Sequence, residues 1–322
     1  MSSSSQVTEH ARPTVVVADD HPRVLQSVSS LLADDFEVVA AVTDGRQAVD
    51  AAKRLDPDLI LLDITMPVLD GLRAAQTLRR GGSRAKVVFL TLHAADEFVE
   101  AAFGAGASGY VLKTRMEADL AAALQHTLAG RTFVPSLASL SAVTARGTHA
   151  IHVCHDAAFF FDEIASFLHA ANRRGDLAVV LGTEPARAGI AERLTASGCD
   201  VAVEKERGRY LEFDVAASLS RVMNGKRPDR RTLAHIVDDL ERSREAVAQG
   251  RQNRLAVFGE MSLVLLQDGN IEGALEVERS WDELTRARPF VTVCSYPDEI
   301  MQQGNPEMWA AVCNEHTSAC HA

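Results

Sequence analysis

The chain has 322 residues, 47% hydrophobic and 24% charged, enough for two domains with separate cores. A net charge of -11 argues against general affinity for nucleic acid, whose phosphates require a basic face. No apolar stretch approaches the roughly 20 residues that span a bilayer, and five cysteines without a CxxC pair fit a reducing, cytoplasmic setting.

The lead Met1-Ser2-Ser3-Ser4-Ser5 is polar and lacks a signal-peptide core, so residues 1–12 read as a disordered lead and export is not expected. From Thr14 to about Val134, short apolar runs alternate with amphipathic segments. Strands are expected over 14–18, 36–41, 58–62, 86–90 and 109–112, and helices over 22–33, 45–55, 70–80, 96–104 and 116–129. Asp44 before Gly45 and Asp70 before Gly71 supply helix-start signals. Five βα units of this length imply an α/β domain, a five-stranded doubly wound parallel sheet covered on both faces. Right-handed crossovers then put every strand C-terminus on one edge, where open α/β sheets bind ligands.

Five polar groups stand at those ends: Asp19 and Asp20, Asp63, Thr91 and Lys113. Crowded carboxylates repel one another, so a divalent cation is needed to keep all three ionised. Mg²⁺ suits such a site, because it combines a few carboxylate oxygens with water and a phosphoryl oxygen. Asp63, ending the central strand, is the natural nucleophile toward a phosphoryl group. Lys113 can pair with a phosphoryl oxygen as a point charge, and the Thr91 hydroxyl can donate to another. Pro67 and Gly71 read as turn residues that shape the loop after Asp63.

The segments Val17-Ala18-Asp19-Asp20-His21-Pro22, Leu61-Leu62-Asp63-Ile64-Thr65-Met66-Pro67, Asp70-Gly71, Leu90-Thr91 and Gly106-Ala107-Ser108-Gly109-Tyr110-Val111-Leu112-Lys113 carry a resemblance. Residues 13–134 resemble the receiver domain of two-component response regulators, in detail those that usually precede a helix-turn-helix output. The resemblance implies a histidine kinase as partner and Asp63 as the phosphorylated residue. It implies Mg²⁺ held by Asp19, Asp20, Asp63 and the Thr65 backbone, and a switch built on Thr91, Tyr110 and Lys113. It also implies that Thr65 and His93, each two residues past a key position, line the route of attacking water and tune the lifetime of the phosphoryl group. Thr114 follows Lys113 where receivers commonly carry proline.

Residues 135–148, rich in small residues with Pro135, Ser136, Ser139, Ser141, Thr144 and Gly147, read as a linker or a short extension. Beyond it a second α/β pattern is expected, with strands over 150–154, 177–182, 199–203, 253–258 and 289–295. Its helices are expected over 157–173, 185–197, 214–223, 230–249, 270–286 and 305–318. No basic recognition helix is found: Arg230 and Arg231 are accompanied by Asp238, Asp239, Glu241 and Glu245, so DNA is not expected as a partner.

Gly147-Thr148-His149, the run Phe159-Phe160-Phe161-Asp162-Glu163-Ile164-Ala165-Ser166-Phe167-Leu168, Ala178-Val179-Val180-Leu181-Gly182-Thr183-Glu184 and Phe258-Gly259-Glu260-Met261 carry a second, more diffuse likeness, with Trp281-Asp282-Glu283-Leu284 and Val291-Thr292-Val293-Cys294-Ser295-Tyr296. Residues 147–316 resemble the MEDS sensory domain of methanogen and methylotroph regulators, so 149–322 is read as that domain, with a tail from about 317. The resemblance implies a three-layer RecA-like, KaiC-like fold with a degenerate phosphate loop. The residues agree, since Gly182 to Ile190 lacks the spacing GxxxxGK[ST] and no lysine follows Gly189. ATP hydrolysis is therefore not expected; Gly182, Thr183 and Glu260 mark the candidate ligand site.

Cys313, His316 and Cys320 would share a face if the tail were helical, with His321 as a fourth metal ligand. That spacing matches no familiar zinc module, and a plain tail is the default. His152, Cys154 and His155 alternate on an expected strand and read as core packing. The whole reads as a response regulator with no enzyme activity beyond self-phosphorylation from small donors and self-dephosphorylation. Its phosphorylation would change contacts with a second copy of the chain or with a downstream protein. The alternative makes the second domain a sensor of a small molecule or nucleotide, with the receiver as second input.

Overall fold

Runs such as Leu59-Ile60-Leu61-Leu62 and Val15-Val16-Val17 are continuously apolar, as strands buried on both faces of a parallel sheet must be. The computed structural model describes residues 12–143, 147–154, 157–248, 252–297, 300 and 306–321. They fall into two compact units, 1–130 and 131–322.

In the first unit the strands are β1 (Thr14–Ala18), β2 (Glu37–Val42), β3 (Leu59–Leu62), β4 (Lys86–Thr91) and β5 (Gly109–Leu112). They pair in the order β2-β1-β3-β4-β5, all parallel. The helices are α1 (Pro22–Leu32), α2 (Gly45–Leu55), α3 (Gly71–Arg80), α4 (Asp96–Ala105) and α5 (Met116–Leu128). Asp44 and Asp70 cap α2 and α3, accepting from the N–H of Gln47 and Arg73.

The register of β1 on β3 decides where the carboxylates land. At one end Thr14 donates its N–H and its hydroxyl to Asp58 Oδ2, each over 2.8 Å, and its Oγ1 accepts from the Asp58 N–H at 3.0 Å. Those bonds hold the Asp58 carboxyl below its ordinary range. At the other end Ala18 pairs with Leu62, so Asp19 and Asp63 leave the sheet side by side. The loop after Asp63 returns tightly: the Gly71 N–H donates to Ile64 O at 2.9 Å, and a Cβ on Gly71 would lie 2.0 Å from the Asp63 carbonyl oxygen.

In the second unit the main sheet holds β6 (Thr132–Phe133), β7 (Thr148–Cys154), β8 (Leu177–Gly182), β9 (Tyr210–Asp214), β12 (Leu255–Gly259), β13 (Phe290–Pro297) and β14 (Ser318–His321). Their order is β6-β14-β7-β13-β12-β8-β9, again parallel. A separate hairpin pairs β10 (Met223–Asn224) with β11 (Arg227–Pro228). The helices are α6 (Leu137–Val143), α7 (Ala157–Arg173), α8 (Glu184–Ala196), α9 (Val201–Glu206), α10 (Val215–Val222), α11 (Arg230–Ala248), α12 (Met261–Gln267), α13 (Ile271–Thr285) and α14 (Pro306–Asn314). Val179 and Val257 from the sheet pack with Leu219, Leu233, Val237 and Trp281 from the helices. No helix among the described residues is long and apolar enough to cross a membrane.

Several expectations are corrected. The strand expected over 199–203 is helix α9 from Val201, because Asp200 accepts from the Val203 N–H as an N-cap; the strand follows at 210–214. The stretch read as a linker, 135–148, holds α6 and the first residue of β7. The helix expected over 305–318 stops at Asn314, and the tail from 317 forms β14 between β6 and β7. Its backbone is satisfied there: Thr317 N–H donates to His149 O at 2.7 Å.

Gly71→Ala should therefore cost about 1–3 kcal/mol through overpacking. Gly104→Ala, inside α4 with nothing within 4 Å of the added Cβ, should stabilise by about 0.5–1 kcal/mol. Urea-unfolding midpoints of the two full-length variants check both signs.

Candidate functional site

The strand ends of the first unit bring the expected residues together. Asp19 and Asp63 are buried, with relative exposures of 2% and 5%, and Thr91 is completely buried. Lys113, in the short 3₁₀ turn after β5, reaches between the two acids. Its Nζ lies 2.6 Å from Asp19 Oδ2 and 2.7 Å from Asp63 Oδ2. Burial alone would push its pKa down; the bonds to Asp19 and Asp63 outweigh burial and raise it. The ammonium thus stays charged where two buried carboxylates would otherwise repel.

Asp20 is half-buried beside them. Asp19 Oδ1 accepts from the His21 N–H at 2.9 Å, and His21 Nδ1 lies 2.8 Å from Asp20 Oδ1. One ligand atom each from Asp19, Asp20 and His21 falls within a 4.8 Å cluster. Asp19 Oδ2 is held by the Lys113 ammonium and Asp20 Oδ1 by the His21 ring, so these buried oxygens already face positive or polar partners where a cation would bind. The donor set is hard and oxygen-rich, which fits Mg²⁺. His21 is the member that sequence reasoning did not single out; only its place after the acidic pair signalled it.

His93 and Tyr110 link the pocket to the rest of the unit. Thr65 Oγ1 and His93 Nε2 are 3.0 Å apart, and the His93 ring stacks on Phe98 with centroids 4.0 Å apart. The fully buried Tyr110 donates its hydroxyl to His93 O at 2.7 Å, while burial first and the Asp63 charge second keep that phenol protonated. The Thr91 hydroxyl accepts only a long 3.4 Å bond from the His93 N–H.

The candidate residues of the second unit also meet, but they satisfy one another. Glu260 is buried, and its Oε2 accepts from the Thr183 N–H at 2.7 Å and from the Thr183 hydroxyl at 3.0 Å, at the start of α8 beside Gly182. A helix N-terminus that could hold a phosphate is thus occupied by the chain's own carboxylate. Burial raises the Glu260 pKa, and the two Thr183 bonds offset this only in part. Nearby are cavities of about 30 and 110 Å³ that share Leu181, Val257, Met261 and Trp281. The metal set expected in the tail does not assemble on a helix. Cys313 ends in α14, His316 turns into the interior, and the side chains of Cys320 and His321 lie outside the described residues. His152 and Cys154 are buried as core residues, with His152 bonded to Ser295 Oγ and Glu163 Oε2; His155 lies outside the described residues.

Comparison with known proteins bears on both units. A family model for the response regulator receiver domain matches residues 15–125, and one for the methanogen/methylotroph, DcmR sensory domain (MEDS) matches residues 148–317. The nitrate/nitrite response regulator protein NarL of Escherichia coli K12 is 38% identical over 119 residues, 36% of this chain and 55% of that protein. NarP of the same strain is 46% identical over 101 residues, 31% of this chain and 47% of that protein. The chain spans about half the length of these relatives. Among solved structures, the signal receiver domain of the putative response regulator NarL from Mycobacterium tuberculosis is 31% identical and covers 38% of this chain and 99% of that one, with a TM-score of 0.37.

Glu260 carries a pH signature. Its carboxyl titrates above the ordinary glutamate value of 4.5 in the folded chain, so the folded state binds more protons between the two values and stability falls as pH rises through that window. Denaturation from pH 4 upward should show wild type losing stability relative to Glu260→Gln; a pH-independent difference would contradict the assignment.

Proposed function

The chain is a two-component response regulator that belongs to the MEDS family and carries a receiver domain ahead of its MEDS domain, and from that footing we propose that Asp63 accepts a phosphoryl group from a histidine kinase. The observation that carries this reading is the single ammonium shared by Asp19 and Asp63 at the strand ends.

In the proposed step an Asp63 carboxylate oxygen attacks phosphorus in line. The bond from phosphorus to the kinase imidazole breaks, and that nitrogen keeps the electron pair. Asp19, Asp20, Asp63 and the Thr65 carbonyl would hold Mg²⁺, which would supply the positive charge that lets three carboxylates and a phosphoryl group coexist. Lys113 can exchange Asp63 Oδ2 for a phosphoryl oxygen while keeping its pairing with Asp19. The Thr91 hydroxyl gives up only a long bond to turn toward another phosphoryl oxygen. His93 then loses one tether while Tyr110 still holds its carbonyl, which biases the α4–β5 face between two states. Thr65 and His93, hydrogen-bonded to each other beside Asp63, set the access of attacking water and so the lifetime of the phosphoryl group.

The output reading is contact with a second copy or a downstream protein in the cytoplasm rather than DNA. Three of the four arginines along α11 are engaged within the unit: Arg230 with Glu283, Arg242 with Asp239 and Arg244 with Glu241. Such paired arginines make a poor phosphate-binding stripe. No activity as an enzyme is proposed beyond the receiver's own phosphoryl chemistry. A second reading, ligand sensing by the MEDS domain, draws on the cavity of about 110 Å³ lined by Phe213, Ile236, Met261 and Trp281. It favours a small apolar molecule over a nucleotide, because Glu260 already holds the Thr183 amide.

Incubation with a small acyl phosphate and Mg²⁺ should add one phosphoryl mass to the intact chain. Asp63→Asn, or chelation of Mg²⁺, should abolish the gain. An unchanged wild-type mass would contradict the reading.

A further inference from the structure

Away from the acidic pocket, four ligand-type side chains converge inside the second unit from four different places in the chain. His149 stands on β7, Glu278 on α13, Cys294 on β13, and His316 in the turn between α14 and β14. One ligand atom of each lies within 4.8 Å of all the others. His149 Nε2 is 2.9 Å from Glu278 Oε2 and 3.3 Å from Cys294 Sγ. Glu278 Oε2 is 3.5 Å from both Cys294 Sγ and His316 Nε2. Metal–ligand bonds of about 2.0–2.3 Å in a tetrahedron put the donors about 3.3–3.7 Å apart. Three of these separations fall in that range, the His149–Glu278 pair is slightly closer, and the remaining two pairs lie within 4.8 Å.

The protons of this cluster are not distributed as in an ordinary polar core. His316 Nδ1 is 2.8 Å from Val312 O, which can only accept, so the ring proton sits on Nδ1 and Nε2 presents a lone pair. That lone pair faces a carboxylate oxygen, acceptor against acceptor, and Nε2 has no hydrogen-bond partner. A second proton on His316 would put an imidazolium in the interior, 4.2 Å from the His149 ring. A cation between the four donors removes the conflict.

The surroundings suit one. His149, Glu278 and His316 are buried at 0%, 1% and 3% exposure. Tyr296 donates its hydroxyl to Glu278 Oε1 at 2.5 Å, which leaves Oε2 aimed into the cluster, as an outer-shell partner orients a metal ligand. A thiolate and a carboxylate with two neutral imidazoles balance a dication, so the filled site carries no net buried charge. Sulfur with two imidazole nitrogens selects a borderline ion such as Zn²⁺ over Mg²⁺ or Ca²⁺, which favour oxygen alone.

We propose that the second unit binds one divalent transition-metal ion of zinc's ligand preferences through His149 Nε2, Glu278 Oε2, Cys294 Sγ and His316 Nε2. Binding displaces the thiol proton of Cys294 to solvent. It ties β7, β13 and α13 to the turn that leads into β14. Cys294 and Glu278 also line the cavity of about 30 Å³, with Ser262 and Trp281, so the ion has room beside it for one water-sized ligand.

The test uses the full chain, loaded with Zn²⁺ in excess Mg²⁺ and then dialysed. Elemental analysis should find one retained zinc equivalent in wild type and a loss of most of it in His316→Gln. Loading with Co²⁺ instead should give tetrahedral visible bands together with a thiolate-to-metal charge-transfer band, and Cys294→Ser should lose the charge-transfer band. Circular dichroism confirms the fold of each variant, and should one not fold, the other decides. No retained metal in wild type, or metal and spectra unchanged in both variants, would overturn the proposal.

Discussion

The ammonium of Lys113 lies between two buried carboxylates, within 2.7 Å of an oxygen of each. Without it, the register that sets Asp19 beside Asp63 would place like charges together in a low-dielectric site, and removing one partner of such a buried arrangement typically costs about 3–5 kcal/mol. Much of the first unit is arranged around keeping this contact in place. The Thr14–Asp58 bonds fix β1 against β3, and Gly71 lets the loop after Asp63 lie flat against α3. The contact is also exchangeable, because an ammonium on a flexible stem can follow a new anion. Stability and the proposed switching therefore rest on the same atoms.

The two units treat strand-end acids in opposite ways. In the first, Asp20 stays partly exposed and Asp19 and Asp63 are held by a mobile lysine side chain rather than by the backbone. In the second, Glu260 is fixed on the amide and hydroxyl of Thr183, and the anion-binding end of α8 is used internally. That contact speaks against nucleotide phosphates at this position. The unsatisfied polar atoms of the second unit include His316 Nε2 instead, beside Glu278.

Most of the first unit was legible because its signals are local. Asp19, Asp63, Thr91 and Lys113 each follow an apolar run, so finding the run locates the residue on the edge. The strand expected at 199–203 failed because Val201 and Val203 suggest a strand, while the Asp200 cap starts a helix. The tail was misjudged for a different reason: Ser318–His321 gains its structure only by pairing with β6 and β7, far away in sequence. The same limit hid the His149, Glu278, Cys294 and His316 cluster, whose members are brought together by the sheet and carry no recognisable spacing. Of the four, only His316 reads as a metal ligand from the sequence, where it groups with Cys313, Cys320 and His321 instead.

If a phosphoryl group enters between Lys113 and Asp63, a crystal structure of the full chain with Mg²⁺ and beryllofluoride, a stable mimic of that group, will show it. The mimic should sit on an Asp63 oxygen and Mg²⁺ on Asp19 and Asp20, with the Lys113 ammonium moved to a fluoride and the Thr91 hydroxyl turned toward the mimic. An Asp63 carboxylate left bare, with Lys113 still spanning Asp19 and Asp63, would contradict it.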